Sequence, residues 1–279
     1  MNITDVVAAC RDTGLDWLEQ LLQQMFRPKE DKEDVTKANV EPSKALVMAC
    51  QQIVDCLVEN ILRLEETSLA RNPNPGESSI SFVNKTYLTL TFCVAGSADA
   101  KSSNGGETKG ASLRLVACMT TLYLFAKIRP LLLVPHAMTL QPYLSLRCRT
   151  QGDYQIISDV ARTLEVVVPL LEHPSESFLA QLEEDAVKLI LQHDKAVVAA
   201  CLSCLGSVVN HVTRNFKLIR DCFRKYFGPL TEYKLMHERD PDNPRLVQHR
   251  PFFRRALFTV GLLLRHFDFT DEEVNTQLI

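Results

Sequence analysis

Cys201 and Cys204 form a Cys-x-x-Cys motif, the first group in this sequence that could do chemistry. Such a pair can hold a metal ion or cycle between thiol and disulfide. A zinc site, however, needs a second pair or histidines at suitable spacing. Only His193 and His211 are near in sequence, and both cysteines lie among apolar neighbours. Thiols in such a setting act as small core side chains, so the motif predicts packing.

The consecutive carboxylates Glu183, Glu184 and Asp185 are a second candidate. Paired carboxylates can transfer protons, but three consecutive residues on a helix spread over most of a turn and do not converge. They therefore predict a solvated outer face. The sequence contains no phosphate-binding loop, nucleophile elbow or HExxH motif. We expect no catalytic residue, no metal site and no cofactor.

The third candidate is a basic stripe on a predicted helix at about Arg214–Phe227. With about 100° per residue, its cations fall on one side and its apolar residues on the opposite arc. The cations are Arg214, Lys217, Arg220, Arg224 and Lys225, with Asp221 among them. Such a face can contact the phosphates of a nucleic acid, or a partner protein. The alternative is an ordinary solvated face, which these residues alone slightly favour.

The stretch Lys195–Val212 has no charged side chain between Ala196 and Asn210. A helix this apolar must be packed on several sides, so we predict that it is the inner helix of a helical repeat. First helices start about forty residues apart, near Pro135, Ser175 and Asn215. More apolar second helices follow at Tyr154–Leu171, Ala196–Val212 and Pro251–Phe267. This period predicts an all-α fold, a HEAT-repeat α-solenoid.

The second helices also align residue by residue. Leu164, Val167 and Val168 correspond to Leu205, Val208 and Val209, and then to Val260, Leu263 and Leu264; Gly206 corresponds to Gly261. Each pair buries its inner helix only against its neighbours, which explains the apolar character of Lys195–Val212.

The first third of the chain predicts a helix at Asp5–Phe26, interrupted at Gly14, and a long helix at about Lys44–Thr67 capped by Ser43. The apolar face of the first helix comprises Leu15, Leu18, Leu21, Leu22 and Phe26, with Trp17 beside it. The stripe of the second comprises Leu46, Cys50, Ile53, Leu57, Ile61 and Leu64. A further helix is expected at about Leu113–Ile128.

The tract at 71–112 does not fit this helical pattern. Residues Ile80–Val94 alternate with period two, which is typical of a strand, and a Gly- and Ser-rich stretch follows. The predicted organisation is therefore a helical repeat segment at 1–70, a poorly ordered insertion at 71–112 and a HEAT-repeat array at 113–279.

The composition of the chain limits the classes of function that we expect. The chain has 279 residues, 46% hydrophobic and 23% charged, with a net charge of −3, so any basic patch must be local. Nine scattered cysteines indicate free thiols in a reducing compartment. The N-terminus lacks a signal-peptide pattern, and the uninterrupted apolar runs are short for a membrane span. We expect no membrane partner.

Several stretches resemble the Nipped-B-like family, the cohesin loaders. They are Val134–Leu144, Leu164–Asp185, Cys201–Lys217 and Leu257–Phe269, with MNITDVVAAC, DWLEQLL, VDCLVENIL and LRLVACMTTLYLFAKIRP before them. The resemblance covers most of 1–66 and 113–269, whereas 71–110 has no recognised counterpart. Family members are much longer, so the chain resembles a fragment or a truncated form.

This resemblance implies a hook-shaped HEAT-repeat scaffold that binds cohesin and double-stranded DNA. It implies loading of cohesin onto chromatin in the nucleus, for sister chromatid cohesion, DNA repair and transcription regulation through the cell cycle. It also implies stimulation of the cohesin ATPase without hydrolysis by the loader itself. The Mau2-type partner would be held through regions absent here. The alternative is a purely structural protein–protein interaction scaffold without nucleic-acid contact.

Overall fold

The computed structural model describes residues 3–26, 43–71, 106–145, 151–190 and 194–271. Helices make up nearly all of these residues, and no strand occurs among them. The all-α prediction is confirmed for this part of the chain. The strand predicted at Ile80–Val94 lies outside the described residues.

The α-helices are numbered in chain order. They are α1 Ile3–Phe26, α2 Lys44–Arg71, α3 Gly106–Ile128, α4 Ala137–Leu140, α5 Gln151–Val167, α6 Glu176–Ile190, α7 Lys195–Val208, α8 Phe216–Arg239 and α9 Pro244–His266. Short 3₁₀ helices lie at Pro130–His136, Gln141–Ser145 and Val168–Leu170, and a π-helical turn lies at Val209–Thr213. The chain divides into two compact units, Met1–His136 and Ala137–Ile279.

The first unit packs α3 against α1, α2 and the 3₁₀ helix Pro130–His136. Helix α1 continues through Gly14 without the predicted interruption. Leu22 is buried, whereas Trp17 is 68% exposed. Helix α3 begins at Gly106, earlier than the predicted Leu113 and inside the tract predicted to be an insertion.

The buried stripe of α2 differs from the predicted one. Cys50 and Ile61 are buried as predicted, but Val54 and Val58 are buried between them, and Ile53 is 49% exposed. The cause is that α2 is apolar on more than one side, so its sequence fits two neighbouring stripes. Contact with α3 selects between them, and that contact is not visible in the periodicity of α2.

The second unit stacks helices in pairs. The segment from α4 through the 3₁₀ helix Gln141–Ser145 packs on α5, α6 packs on α7, and α8 packs on α9. The second members also contact one another, α5 with α7 and α7 with α9. This alternation matches the predicted pairing of first and second helices.

Two of the three predicted first-helix starts are confirmed by their caps. Ser175 Oγ accepts a hydrogen bond from the Phe178 amide at 3.3 Å, and Asn215 Oδ1 accepts one from the Leu218 amide at 3.4 Å. Near Pro135 the chain instead forms short 3₁₀ and α segments. Pro135 and Pro142 each lack the amide hydrogen that a continuous α-helix needs.

Two helices of the second unit are longer than predicted. Helix α8 continues through Gly228 and Pro229 to Arg239. Helix α9 begins at Pro244, where the fixed φ of proline suits the first turn, and the Asn243 side chain caps it.

The inner position of α7 is confirmed. Asp194 Oδ1 accepts hydrogen bonds from the Ala196 and Val197 amides at 2.9 and 3.0 Å, which fixes the start of the helix. Along α7 the buried residues lie on nearly all sides, as the absence of charge predicts. They are Val197, Val198, Ala200, Cys201, Leu202, Cys204, Leu205, Gly206 and Val208.

Polar bonds join α7 to the second helices on either side. Ser203 Oγ donates to Glu165 Oε1 of α5 at 2.6 Å, and Ser207 Oγ donates to the Glu165 carbonyl oxygen at 2.7 Å. At the other end, Asn210 Nδ2 donates to the His266 carbonyl oxygen at 3.0 Å. The three second helices are therefore held by hydrogen bonds as well as by apolar contact.

Residues aligned between α5 and α7 are buried alike, but the aligned residues of α9 are not all buried. All six aligned apolar residues of the first two copies are buried, and so are Val260 and Leu263, but Leu264 is 54% exposed. The aligned glycines also differ. A Cβ on Gly206 would lie 3.1 Å from the His266 Cβ, whereas a Cβ on Gly261 would meet open space. Gly206 permits a close helix contact that Gly261 does not make.

Among the residues that the structure describes, two stretches are long and apolar enough to cross a bilayer by length and composition alone, Lys44–Leu64 and Lys195–Thr213. This differs from the expectation based on uninterrupted apolar runs, because mean hydropathy over the window tolerates isolated polar residues, such as Ser203 and Ser207 in the second stretch. The second stretch packs against α5, α6 and α9. Core helices pass the same test, so the composition of Lys195–Thr213 is accounted for by burial.

Candidate binding surface

The orientation of α8 is set by four buried residues, Phe216, Ile219, Cys222 and Tyr226. They pack into a core shared with α6, α7 and α9. Burial raises the pKa of the Cys222 thiol to about 11, although nearby Lys225 lowers it and Asp221 raises it further. The opposite side of α8 therefore faces away from this core.

The predicted basic stripe lies on that outward side. Lys217, Arg224 and Lys225 are exposed and Arg220 is half-buried, so the structure brings these four cations onto one helix. Asp221 is exposed among them, as the sequence predicts. Whether this stripe binds a partner stays a prediction.

Arg214 has a local role. It lies at the end of the π-helical turn with φ 54°, in the left-handed region. Its Nη1 donates to the Asn210 carbonyl oxygen at 3.0 Å, and its guanidinium carbon lies 4.8 Å from the centre of the Phe216 ring. These contacts close the α7–α8 connection and orient the Arg214 side chain toward its own backbone.

A second group of cations lines a groove between α7 and α9. Lys195 comes from the start of α7, and Arg250, Arg254 and Arg255 come from α9; Val198, Val247, Pro251 and Phe258 complete the walls. Lys195 Nζ lies 5.7 Å from the centre of the Phe258 ring. The sequence patterns predicted no binding role for these residues, and the groove was missed. One signal was available: α9 contains five arginines and no carboxylate.

The acidic triplet does not form the predicted solvated face. Glu183 and Asp185 are 7% and 3% exposed, and only Glu184 is exposed, where it pairs with Lys188 at 2.8 Å. Residues two apart on a helix point in nearly opposite directions, so Glu183 and Asp185 meet different neighbours.

Both buried carboxylates hold other segments in place. Thr213 Oγ1 and Asn215 Nδ2 donate to the two oxygens of Glu183 at 2.5 and 2.7 Å, which fastens the α7–α8 connection to α6. Gln141 Nε2 donates to Asp185 Oδ2 at 2.8 Å. Hydrogen-bonded burial of this kind is structural.

The two cysteines of the Cys-x-x-Cys motif are buried free thiols within α7. Burial raises the pKa of Cys204 far above the ordinary thiol value, and the nearby Glu165 carboxylate raises it further. A thiol in this state is a poor nucleophile and a poor metal ligand. Within the described ranges, no group of His, Cys, Asp and Glu residues is arranged to hold a metal ion; His193 lies outside them.

Comparison with known proteins gives the family. The chain is 49% identical over 273 residues to Nipped-B-like protein B of Danio rerio and to the Nipped-B-like protein of Homo sapiens, and each match covers 98% of the chain. The chain belongs to the Nipped-B-like family. It is also 37% identical over 283 residues to the Nipped-B protein of Drosophila melanogaster. The resemblance drawn from short motifs is thereby confirmed.

The matched segment is a small part of each relative. It covers 8% of the fish and human proteins and 11% of the fly protein. The match covers 98% of this chain, and the absence of a counterpart for 71–110 stays a prediction. No protein-family profile matches the chain, and no solved structure matches it.

Proposed function

We propose that this chain is a scaffold segment of a cohesin loader. In this proposal it contributes to a HEAT-repeat α-solenoid that binds cohesin and double-stranded DNA and promotes cohesin loading in the nucleus. The observation that carries the proposal is the 49% identity to Nipped-B-like proteins over 98% of the chain. The stacked helical pairs of the second unit support the solenoid.

In this proposal the segment works by binding and not by catalysis. Its buried polar groups fasten helices to one another, and its outward cations form the surface offered to a partner. The basic stripe of α8 is the proposed contact with DNA or with cohesin. A Mau2-type subunit would bind elsewhere in the whole protein.

The test is a titration of duplex DNA binding against salt concentration. The variant reverses three exposed cations of the stripe, as Lys217→Glu, Arg224→Glu and Lys225→Glu. If each cation neutralises one phosphate, the slope of log K against log salt falls by roughly 0.9 for each contact removed.

A matched control carries Lys44→Glu, Lys188→Glu and Lys234→Glu, which change the net charge equally at exposed positions outside the stripe. We expect the control to keep most of the affinity and the slope. Equal losses in the two variants, or no loss in either, would remove the DNA contact at this face.

The alternative function is a protein–protein interaction scaffold without nucleic-acid contact. Two observations favour it: Arg214 is occupied by Asn210 and Phe216, and Asp221 is exposed inside the stripe. This alternative predicts that purified cohesin binds the chain equally well with and without the stripe reversal, while duplex DNA does not bind either form.

A further inference from the structure

The groove between the start of α7 and the first half of α9 has the shape of a binding site. Its volume is about 440 Å³, within the range of small-ligand pockets. On α9 its lining residues recur at helical spacing from Val247 to Phe258, so they form one face. At a rise of ~1.5 Å per residue this face is about 16 Å long, which matches roughly five residues of extended peptide.

Charge in the groove has a single sign. Four of its eight lining residues are cations, and none is a carboxylate. Among the described residues, Lys195, Arg250 and Arg254 make no ion pair. The carboxylate next to Lys195 in sequence, Asp194, accepts hydrogen bonds from two amides of α7 and is occupied as the cap of that helix. The groove therefore attracts an anionic partner.

The rest of the lining is apolar. Val198 is buried at the base, Phe258 is half-buried, and Val247 is 71% exposed at one end. An apolar surface beside several cations suits a ligand that carries both an apolar side chain and negative charges.

We propose that this groove binds an acidic linear peptide with an apolar anchor, supplied by a partner protein. The anchor side chain covers Val247 at one end of the groove, and neighbouring carboxylates meet Arg250 and Arg254 further along α9. Charge complementarity and the apolar wall together select this occupant. The proposal goes beyond the DNA contact at α8, and it does not depend on that contact.

A DNA duplex fits these observations less well. A duplex is a wide rod that presents phosphates, so it would reach the cations at the rim and leave the apolar wall in water. A groove of about 440 Å³ admits side chains of a peptide and not a duplex. DNA binding through the same arginines is an outcome that the experiment below separates.

The experiment measures fluorescence anisotropy of labelled probes on the full chain. The main probe is a short glutamate-rich peptide with one central leucine. Two matched peptides replace the leucine by serine or all glutamates by glutamine, and the last probe is duplex DNA. We expect the main probe to bind about tenfold more tightly than either matched peptide, because both parts of the groove contribute.

The variant Arg250→Glu with Arg254→Glu is expected to weaken binding of the main probe roughly tenfold or more. The control Arg245→Glu with Arg265→Glu makes the same charge change on the same helix, at exposed residues that do not line the groove. A second variant, Val247→Asn, keeps every charge and tests the apolar end. Circular dichroism melting checks that each variant folds.

Three results would overturn the proposal. Equal binding of the leucine and serine peptides would show that the apolar wall takes no part. Equal losses in the groove and control variants would show unspecific charge attraction. Loss of DNA binding with unchanged peptide binding in the groove variant would assign the arginines to DNA.

Discussion

Helices α7 and α9 occupy the same place in successive pairs, yet they differ in almost every property. The interior of α7 is uncharged, and it is covered by α5, α6 and α9. Helix α9 carries five arginines and is contacted by α7 and α8. The two helices pair alike, but α7 has more covering neighbours than α9, and this difference decides how much charge each surface can carry.

The largest expected effect comes from truncating the core of α7. Leu205 is 1% exposed, so Leu205→Ala removes buried area and leaves a cavity that costs about 2–5 kcal/mol of unfolding free energy. The matched change in α9 is Leu264→Ala, at a residue that is 54% exposed. There we expect a change within about 0.5 kcal/mol. Urea denaturation measures both, and equal costs would contradict the contrast.

An intermediate effect is expected at the connection between α7 and α8. Glu183→Ala removes the acceptor for Thr213 and Asn215 and leaves two half-buried donors without their partner, at a cost of about 1–3 kcal/mol. The exposed neighbour Glu184→Ala serves as the control, with a change within about 0.5 kcal/mol. Chemical denaturation of both variants measures the two changes in unfolding free energy. A solvated face, as the sequence alone predicts, would give two equally small values.

Alanine substitutions at the two aligned glycines, Gly206 and Gly261, should change the stability of the chain in opposite directions. Gly206→Ala places a Cβ against the His266 side chain at the end of α9, so overpacking outweighs the gain in helix propensity by roughly 1 kcal/mol. Gly261→Ala enters open space and should stabilise the chain by about 0.5–1 kcal/mol. Thermal melts of the two variants should shift in opposite directions, and a shared direction would disprove the difference in packing.

The smallest effect concerns pH. Burial lowers the pKa of His266 below its ordinary value of 6.5; Glu165 raises it in part, and Arg265 lowers it further. The unfolded chain therefore takes up this proton at higher pH than the folded chain does. Stability contributed by neutral His266 is complete above about pH 6.5 and is lost as pH falls below that value.

Denaturation midpoints at pH 7.5 and 5.5 measure this loss, and His266→Asn should reduce it. His249→Asn, at an exposed histidine of the same helix, is the matched control and should leave the loss unchanged. If the two variants lose equal stability on acidification, His266 is not responsible.

Features encoded locally could be predicted from the sequence. The caps Ser175 and Asn215 lie next to the amides they bind, and the burial of α7 follows from its own lack of charge. The family was also recognisable from short motifs, because these contain the packing residues of the helical pairs.

Features decided by contact between helices could not be predicted. The choice of Val54 over Ile53 depends on α3, and the burial of Glu183 depends on donors about thirty residues later in the chain. The groove was missed for the same reason, since Lys195 and Arg250 meet only after α7 and α9 pack. A helical wheel describes one helix and carries no information about its neighbours.

The π-helical turn Val209–Thr213 also bears on how the chain can vary in length. The Arg214 amide donates to the carbonyl oxygen of Val209, five residues earlier, at 3.0 Å, so the turn holds one residue more than an α-helical turn would. Loss of that extra residue would restore α-helical winding and rotate everything after it by about 100°. Insertion or deletion at this one position is thus a route by which a repeat chain could redirect its outer helix while the inner helix stays in place.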